Sequence, residues 1–422
     1  MKNSRLPKLL NSQQKKAILA MLLGGSILAT PTAFAAGSTL IVGVASDYAS
    51  SELGTVTGSR VTTQVDATAN RAVIGNLNRD PAAYSLNYNG KAGFALRQYT
   101  YSTTDLKNTT VYITDDDGSI KPIATGIIPG VANMHASAGY GNYIAATGYD
   151  LGNVSFAHVN DVGKLESSNQ SIRSLKKDIV EYAYETDGGK ALLTNKNASV
   201  HGEGIYVEGN DVYAVASVNP EGGYDPYTDG LILHYKVSDQ GELSYQGYGV
   251  IGKNTDSVRI SKYNDYLSVS SIGGMQNYGN SNWSDDDDST QTNINLIRIS
   301  QDLRFNDKEH QTYQGARDST FVTLPNQIKK DDVDIHDMQV LPDGTVYVCA
   351  YKLAASGAGL EEKVYKTTMA NLKSAHPQDW QVLVSSEKEG WFGKIFAEYY
   401  TNRLWCQGRV QFDPFGRLKV TQ

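Results

Sequence analysis

The chain has 422 residues, with 45 acidic side chains against 38 Lys and Arg, a net charge of -7 and a sequence pI near 5.6. That balance repels phosphate backbones and makes nucleic acid a poor partner, while two cysteines are too few for a disulfide-built scaffold. A content of 40 Gly and 27 Tyr, with Val, Ile and Tyr filling short runs, points to strands and tight turns rather than helices.

At the N-terminus, Lys2, Arg5, Lys8, Lys15 and Lys16 precede an apolar stretch over residues 17–30, which ends near Ala33-Phe34-Ala35. A basic start, a short apolar run and an A-x-A site read as a secretory signal peptide. The expected organisation is a signal peptide over residues 1–35 and one domain over residues 36–422, exported to the periplasm, the cell surface or beyond. Cleavage removes five cations and no acid, so the mature chain is more acidic still. No second apolar segment follows, and no membrane insertion of the mature chain is expected.

Further along, six turn signals separate strand-like runs: Asn89-Gly90, Gly141-Asn142, Gly209-Asn210, Asn264-Asp265, Asp343-Gly344 and Thr401-Asn402. Such dipeptides suit the positive-φ positions of two-residue hairpins. Their second residues are spaced by 52, 68, 55, 79 and 58 positions. One hairpin per 50 to 80 residues is the rhythm of a propeller that adds a four-stranded blade per repeat. The fold class predicted is all-β: a single β-propeller of antiparallel four-stranded blades, seven favoured over six. The seventh would be assembled from residues 39–44, residues 61–65 and the C-terminal run 416–422. One amphipathic stretch, 172–185, reads as a helical insertion.

Leu165, Leu243, Leu303 and Leu372 close similar phrases that locate the third strands, and the connection before each phrase is longest in the third and fourth repeats. Those two loops span residues 219–230, with Tyr224 and Tyr227, and residues 275–289, with Tyr278 and Trp283. Flat aromatic faces beside short Asn and Asp side chains suit an adaptable binding rim. His135, His201 and His336 precede their turns by 7, 9 and 8 residues, which places them where innermost strands begin, on the face of the long loops. Three converging imidazoles suit inter-blade hydrogen bonding, ligand contact or a metal, and a propeller channel is wide for the last. The run Asp285, Asp286, Asp287 and Asp288 is a weak calcium candidate, because it lacks the spaced ligand pattern of a calcium loop and repels itself.

Catalytic motifs are not found: no G-x-S-x-G elbow, no H-E-x-x-H and no phosphate loop ending in Lys-Ser/Thr. Glu203, Asp225, Asp229 and Asp334 can reach the rim, and spacing does not rank them. With its export signal and the phrases Gly209-Asn210-Asp211-Val212-Tyr213-Ala214-Val215 and Pro342-Asp343-Gly344-Thr345-Val346-Tyr347-Val348, the chain resembles secreted bacterial β-propellers of the lactonase-like and YVTN-repeat kind. The resemblance is one of architecture; strict YVTN repeats and the lactonase metal ligands are not matched, so it implies fold and export rather than activity.

The function expected is therefore non-catalytic binding of a small polyol-rich or flat ligand, or of a cell-surface protein, on the rim at the channel mouth. The alternatives are a metal-dependent hydrolase or lactonase sited near His201, Glu203 and His336, and a structural envelope protein. Cys349 and Cys406 follow corresponding turns and read as second-strand residues of adjacent blades, too far apart to bridge. Reduction is accordingly expected to leave the intact mass of the mature protein unchanged; a gain of two hydrogens would reveal a disulfide.

Overall fold

The computed structural model describes residues 40–45, 51–57, 60–66, 82–97, 109–114, 120–179, 187–219, 229–253, 257–271, 293–299, 304–305, 320–331, 334–341, 343–353, 360–385 and 403–412. Their strands form six separate antiparallel sheets. Blade 1 holds β1 (Leu40–Ala45), β2 (Ser51–Thr57) and β3 (Arg60–Asp66). Blade 2 is β4 (Ala82–Tyr88), β5 (Lys91–Arg97), β6 (Thr109–Thr114) and β7 (Ile120–Gly126). Blade 3 is β8 (Met134–Tyr140), β9 (Tyr143–Gly148), β10 (Asn153–Val159) and β11 (Leu165–Glu166), with β12 (Ile172–Ser174) also on β10. Blade 4 is β13 (Ser199–Glu208), β14 (Asp211–Asn219), β15 (Asp229–Val237) and β16 (Leu243–Lys253). Blade 5 is β17 (Ser257–Tyr263), β18 (Tyr266–Ser271) and β19 (Asn293–Arg298). Next come β20 (Arg304–Phe305), which extends blade 4 beyond β16, and β21 (Thr320–Phe321), which completes blade 5. Blade 6 is β22 (Asp334–Val340), β23 (Thr345–Leu353), β24 (Leu360–Thr368) and β25 (Gln381–Ser385). The last strand, β26 (Arg403–Phe412), returns to blade 1 and pairs with β1.

Each blade's first strand touches the first strand of the next: β4 with β8, then β13, β17, β22, β26 and β4 again. The ring of innermost strands is thereby closed, and the architecture is a β-propeller. The closing strand comes from the C-terminal end, so no blade edge is left open at the axis. Six sheets among the described residues compare with the seven favoured from sequence. The difference arises because the strand after the Thr401-Asn402 signal is not a blade of its own. It joins the N-terminal strands as their innermost member, and the run 416–422 lies outside the described residues. For the same reason Cys406 sits on an innermost strand rather than the expected second strand, whereas Cys349 is on the second strand β23.

The hairpins follow their turn chemistry. Tyr88 pairs with Lys91, Tyr140 with Tyr143, Glu208 with Asp211 and Tyr263 with Tyr266, each across two turn residues. Left-handed φ values fall on Asn89, Gly90, Gly141, Gly209 and Asn264. The Asp343-Gly344 turn is longer than expected, with Val340 pairing to Val346 and Gly344 as its left-handed residue. The stretch expected to be one helix over 172–185 instead begins as β12 at the edge of β10 and continues as a short helix, Leu175–Asp178. Asp178 holds this insertion to blade 4, accepting from Arg173 Nε at 3.0 Å and from the buried Tyr235 hydroxyl at 3.1 Å. A second helix, Asp187–Thr194, leads into β13.

The core is a series of apolar layers between blades. Ile144, Val131 and Val111 pack between blades 2 and 3, Phe156, Val212 and Leu233 between blades 3 and 4, and Ile260, Leu267 and Ile232 between blades 4 and 5. Met338, Val348, Leu296 and Tyr365 fill the gap between blades 5 and 6. Tyrosines flanking the hairpins seal one face. The ring of Tyr143 covers Gly241 of the next blade, Tyr263 covers Gly344, and Asn89 N donates to Gly141 O at 2.8 Å.

The opposite face, where innermost strands begin and second strands lead into third strands, carries the long connections. They leave after Asn219 and Ser271 and return at Asp229 and Asn293. On this loop face Gly152 adopts φ +56, and a Cβ there would lie 2.1 Å from Val200 O. Gly152→Ala is expected to destabilise the fold by more than the ~1–2 kcal/mol that a left-handed backbone alone costs a non-glycine residue. A fall in the urea midpoint with unchanged m-value would show it; an unchanged midpoint would contradict the close contact with β13.

Candidate functional site

The loop-face ends of the innermost strands share an irregularity. The pairing register slips between Met134 and Ala136 in β8, Gly202 and Ile205 in β13, Ser257 and Arg259 in β17, and Ile335 and Asp337 in β22. A bulge turns side chains away from the regular alternation of a strand, and here it recurs at the same end of four successive innermost strands. The residues at these slips are His135, Glu203 with Gly204, Val258 beside Arg259, and His336.

Three of these side chains meet. Glu203 is 1% exposed, His135 8% and Arg259 6%, and each comes from a different blade. His135 Nδ1 donates to Glu203 Oε2 at 2.7 Å, and Arg259 Nη1 lies 4.0 Å from the same oxygen. A carboxylate this far from water needs compensating charge or hydrogen bonds, and neighbours on both sides supply them. The close approach rests on the two glycines flanking Glu203. A Cβ on Gly202 would lie 2.8 Å from Gly148 O, and one on Gly204 would lie 3.0 Å from the Arg259 Cα. The Thr147 hydroxyl donates to Glu203 O and pins the bulge itself.

His201 stands behind this cluster. Its ring stacks on Tyr149 at 4.1 Å, and Tyr149 is in turn stacked with His135 at 4.6 Å. His201 Nδ1 donates to Tyr149 O at 3.1 Å, so in the neutral ring Nε2 accepts from the Ser199 hydroxyl at 2.9 Å. Burial pushes this imidazole down to about 4 from its ordinary 6.5, and nearby His135 acts in the same direction. His201 is therefore a neutral ring with both nitrogens engaged. Around the cluster, second and third strands carry fully buried polar side chains: Thr147, Ser217, Asn219, Ser270, Ser271 and Asn295. The two long loops spring from this belt.

His336 lies in β22 at its register slip, with its side chain outside the described residues. Tyr224, Tyr227, Tyr278, Trp283 and Asp285 to Asp288 lie outside the described residues altogether. Among the described residues, no group of three or more His, Cys, Asp or Glu is placed to share a metal ion. From sequence, Glu203 is one of four unranked acids, and Arg259 and Tyr149 draw no notice. The Gly202-Glu203-Gly204 triplet inside a strand was the available signal, since glycine within a strand marks a bulge or a close backbone approach.

No family model and no curated protein sequence matches the chain. Among solved structures, similar chains include a candidate 6-phosphogluconolactonase from Bacteroides fragilis, 12% identical with a TM-score of 0.47 over 83% of each chain. Another is its counterpart from Bacteroides uniformis, at 9% identity and TM-score 0.44, covering 83% of this chain and 82% of that one. A protein from Lactobacillus plantarum is 11% identical, with TM-score 0.40 over 82% and 98% of the two chains. Likenesses of this size carry no activity to the present chain.

The His201 environment has a pH consequence. Its folded-state pKa lies below the unfolded value, so its contribution is full above about 6.5 and is lost as pH falls toward 4. His234, lowered by burial with partial compensation from Asp211, acts in the same sense. Stability is expected to drop by up to about 3 kcal/mol across that window from His201 alone. Urea unfolding at several pH values should show this slope, and His201→Asn should flatten it; an equal slope in the variant would contradict the assignment.

Proposed function

We propose that the protein is an exported, non-catalytic binding protein that holds a small polyol-rich or flat ligand, or a cell-surface protein, at the loop face of its propeller. One observation carries the reading: four successive innermost strands break register at the same end, and three of them bring His135, Glu203 and Arg259 together there. Bulges cost ladder hydrogen bonds, and their repetition at one mouth of the channel suits a recognition site better than it suits packing alone. The Tyr224, Tyr227, Tyr278 and Trp283 loops would add aromatic faces above this floor, and Asp285 to Asp288 a weak calcium position. The basic and apolar start of the chain supports export.

A second reading, hydrolysis at the same mouth, is favoured by the 2.7 Å contact between His135 and Glu203. A carboxylate on Nδ1 fixes the ring tautomer and makes Nε2 the basic nitrogen, the arrangement a general base requires.

A ligand screen by thermal shift, paired with lactone and ester turnover, tests both. The binding reading expects a stabilising ligand whose effect disappears when Tyr224, Tyr278 and Trp283 are all replaced by Ala, with the unliganded melting temperature unchanged. A ligand shift that survives the triple replacement would count against the rim. Turnover abolished by His135→Gln would establish the hydrolase instead.

A further inference from the structure

In blades 2 to 6 the innermost strand runs straight into the second strand across a short hairpin turn. Blade 1 is built otherwise. Its second strand, β1, comes from residues 40–45 and its innermost strand, β26, from residues 403–412, so more than 350 residues separate the two partners. We infer that the inner edge of β1 is a strand-acceptor site, filled by the chain's own β26 in the monomer and by the β26 of a second copy when chains fold at high concentration.

The two strands carry the inference. β1 reads Leu40-Ile41-Val42-Gly43-Val44-Ala45, with no charge and no proline. Exposed edge strands are ordinarily guarded by such residues, so β1 with its inner edge open is a template for a matching strand. The strand that matches it is held by a divided ladder. Leu40 to Val42 pair with Phe412 to Val410, Gly43 to Ala45 pair with Trp405 to Arg403, and residues 406–409 stand outside the pairing. That is a slip of four residues, where β8, β17 and β22 each slip by one. Two three-residue segments therefore fix β26 on β1, rather than one continuous run.

Until the intervening blades have folded, the chain's own β26 is present at β1 only at low effective concentration, because closure entropy grows with the length of the loop. The β26 of another molecule then competes for the same edge. Residues 386–402, which join β25 to β26, can span roughly 60 Å when extended, enough reach to deliver the strand to a neighbouring copy. An exchanged strand keeps the contacts of the monomer, with β1, with β4 of blade 2 and with β22, β23 and β24 of blade 6. Exchange of an identical element between copies is a low-cost route to a dimer, and adding a strand to an open edge needs only main-chain pairing and matching side chains.

The test is refolding of the full-length wild-type chain from urea at ~1 µM and ~100 µM, with and without a roughly tenfold excess of a synthetic peptide of residues 401–422, read by size-exclusion chromatography with light scattering. The dimer fraction is expected to rise at least about fivefold between the two concentrations, and the peptide to lower it at least about threefold while eluting with the monomer. A peptide of the same composition in scrambled order is expected to leave the dimer fraction unchanged. Monomer alone at both concentrations overturns the inference. A dimer that forms as readily with the peptide as without it, or that the scrambled peptide suppresses equally, overturns it as well.

Discussion

A buried carboxylate inside the ring constrains the loop face. Glu203 lies where β13 passes close to its neighbours, and the glycines on either side of it permit that approach. Its charge is met from blade 3 by His135 and from blade 5 by Arg259. Removing one partner of a buried charge typically costs about 3–5 kcal/mol, because the other charge remains buried. Three blades are therefore tied together at the axis by one ionic group, in a region where apolar packing alone would be indifferent to small shifts of register.

The two faces of the ring differ in consequence. Toward the hairpins, tyrosines lie over glycines of the following blade and apolar layers fill the gaps. Toward the long loops, buried hydroxyls and amides replace the aliphatic side chains, and the innermost strands give up regular pairing. In that belt, which spans blades 3, 4 and 5, Ser270 Oγ and Asn295 Oδ1 are buried with no hydrogen-bond partner among the described residues, and such groups call for a reason other than stability. Under the proposed binding reading, a polar ligand seated on that end would supply one.

Much of the architecture was legible from the turn chemistry. Asn89-Gly90, Gly141-Asn142, Gly209-Asn210 and Asn264-Asp265 are short-range signals, and they form the hairpins they suggested. The long second-to-third connections were visible as variable spacing between turns and third strands. What could not be read was pairing between distant segments. Nothing local in Arg403–Phe412 says that it will sit inside β1 rather than begin its own blade, because that choice is made by ring closure. Likewise the 172–185 stretch has helical periodicity, yet Ile172–Ser174 is captured by the free edge of β10. At the candidate site, the three histidines fall where innermost strands begin, but histidine spacing gave no hint that His201 is committed to Tyr149 and Ser199. The Glu203 and Arg259 partnership is a contact between blades, invisible to any pattern within one.

Coupling of neighbouring blades by Glu203 through His135 is tested most directly by a double-mutant cycle combining His135→Gln with Glu203→Gln, followed by urea unfolding at neutral pH. The expected coupling is about 1.5–3 kcal/mol, as for a hydrogen bond to a charged group. Additivity of the two substitutions within about 0.5 kcal/mol would contradict it, and would reduce the cluster to side chains that merely lie near one another.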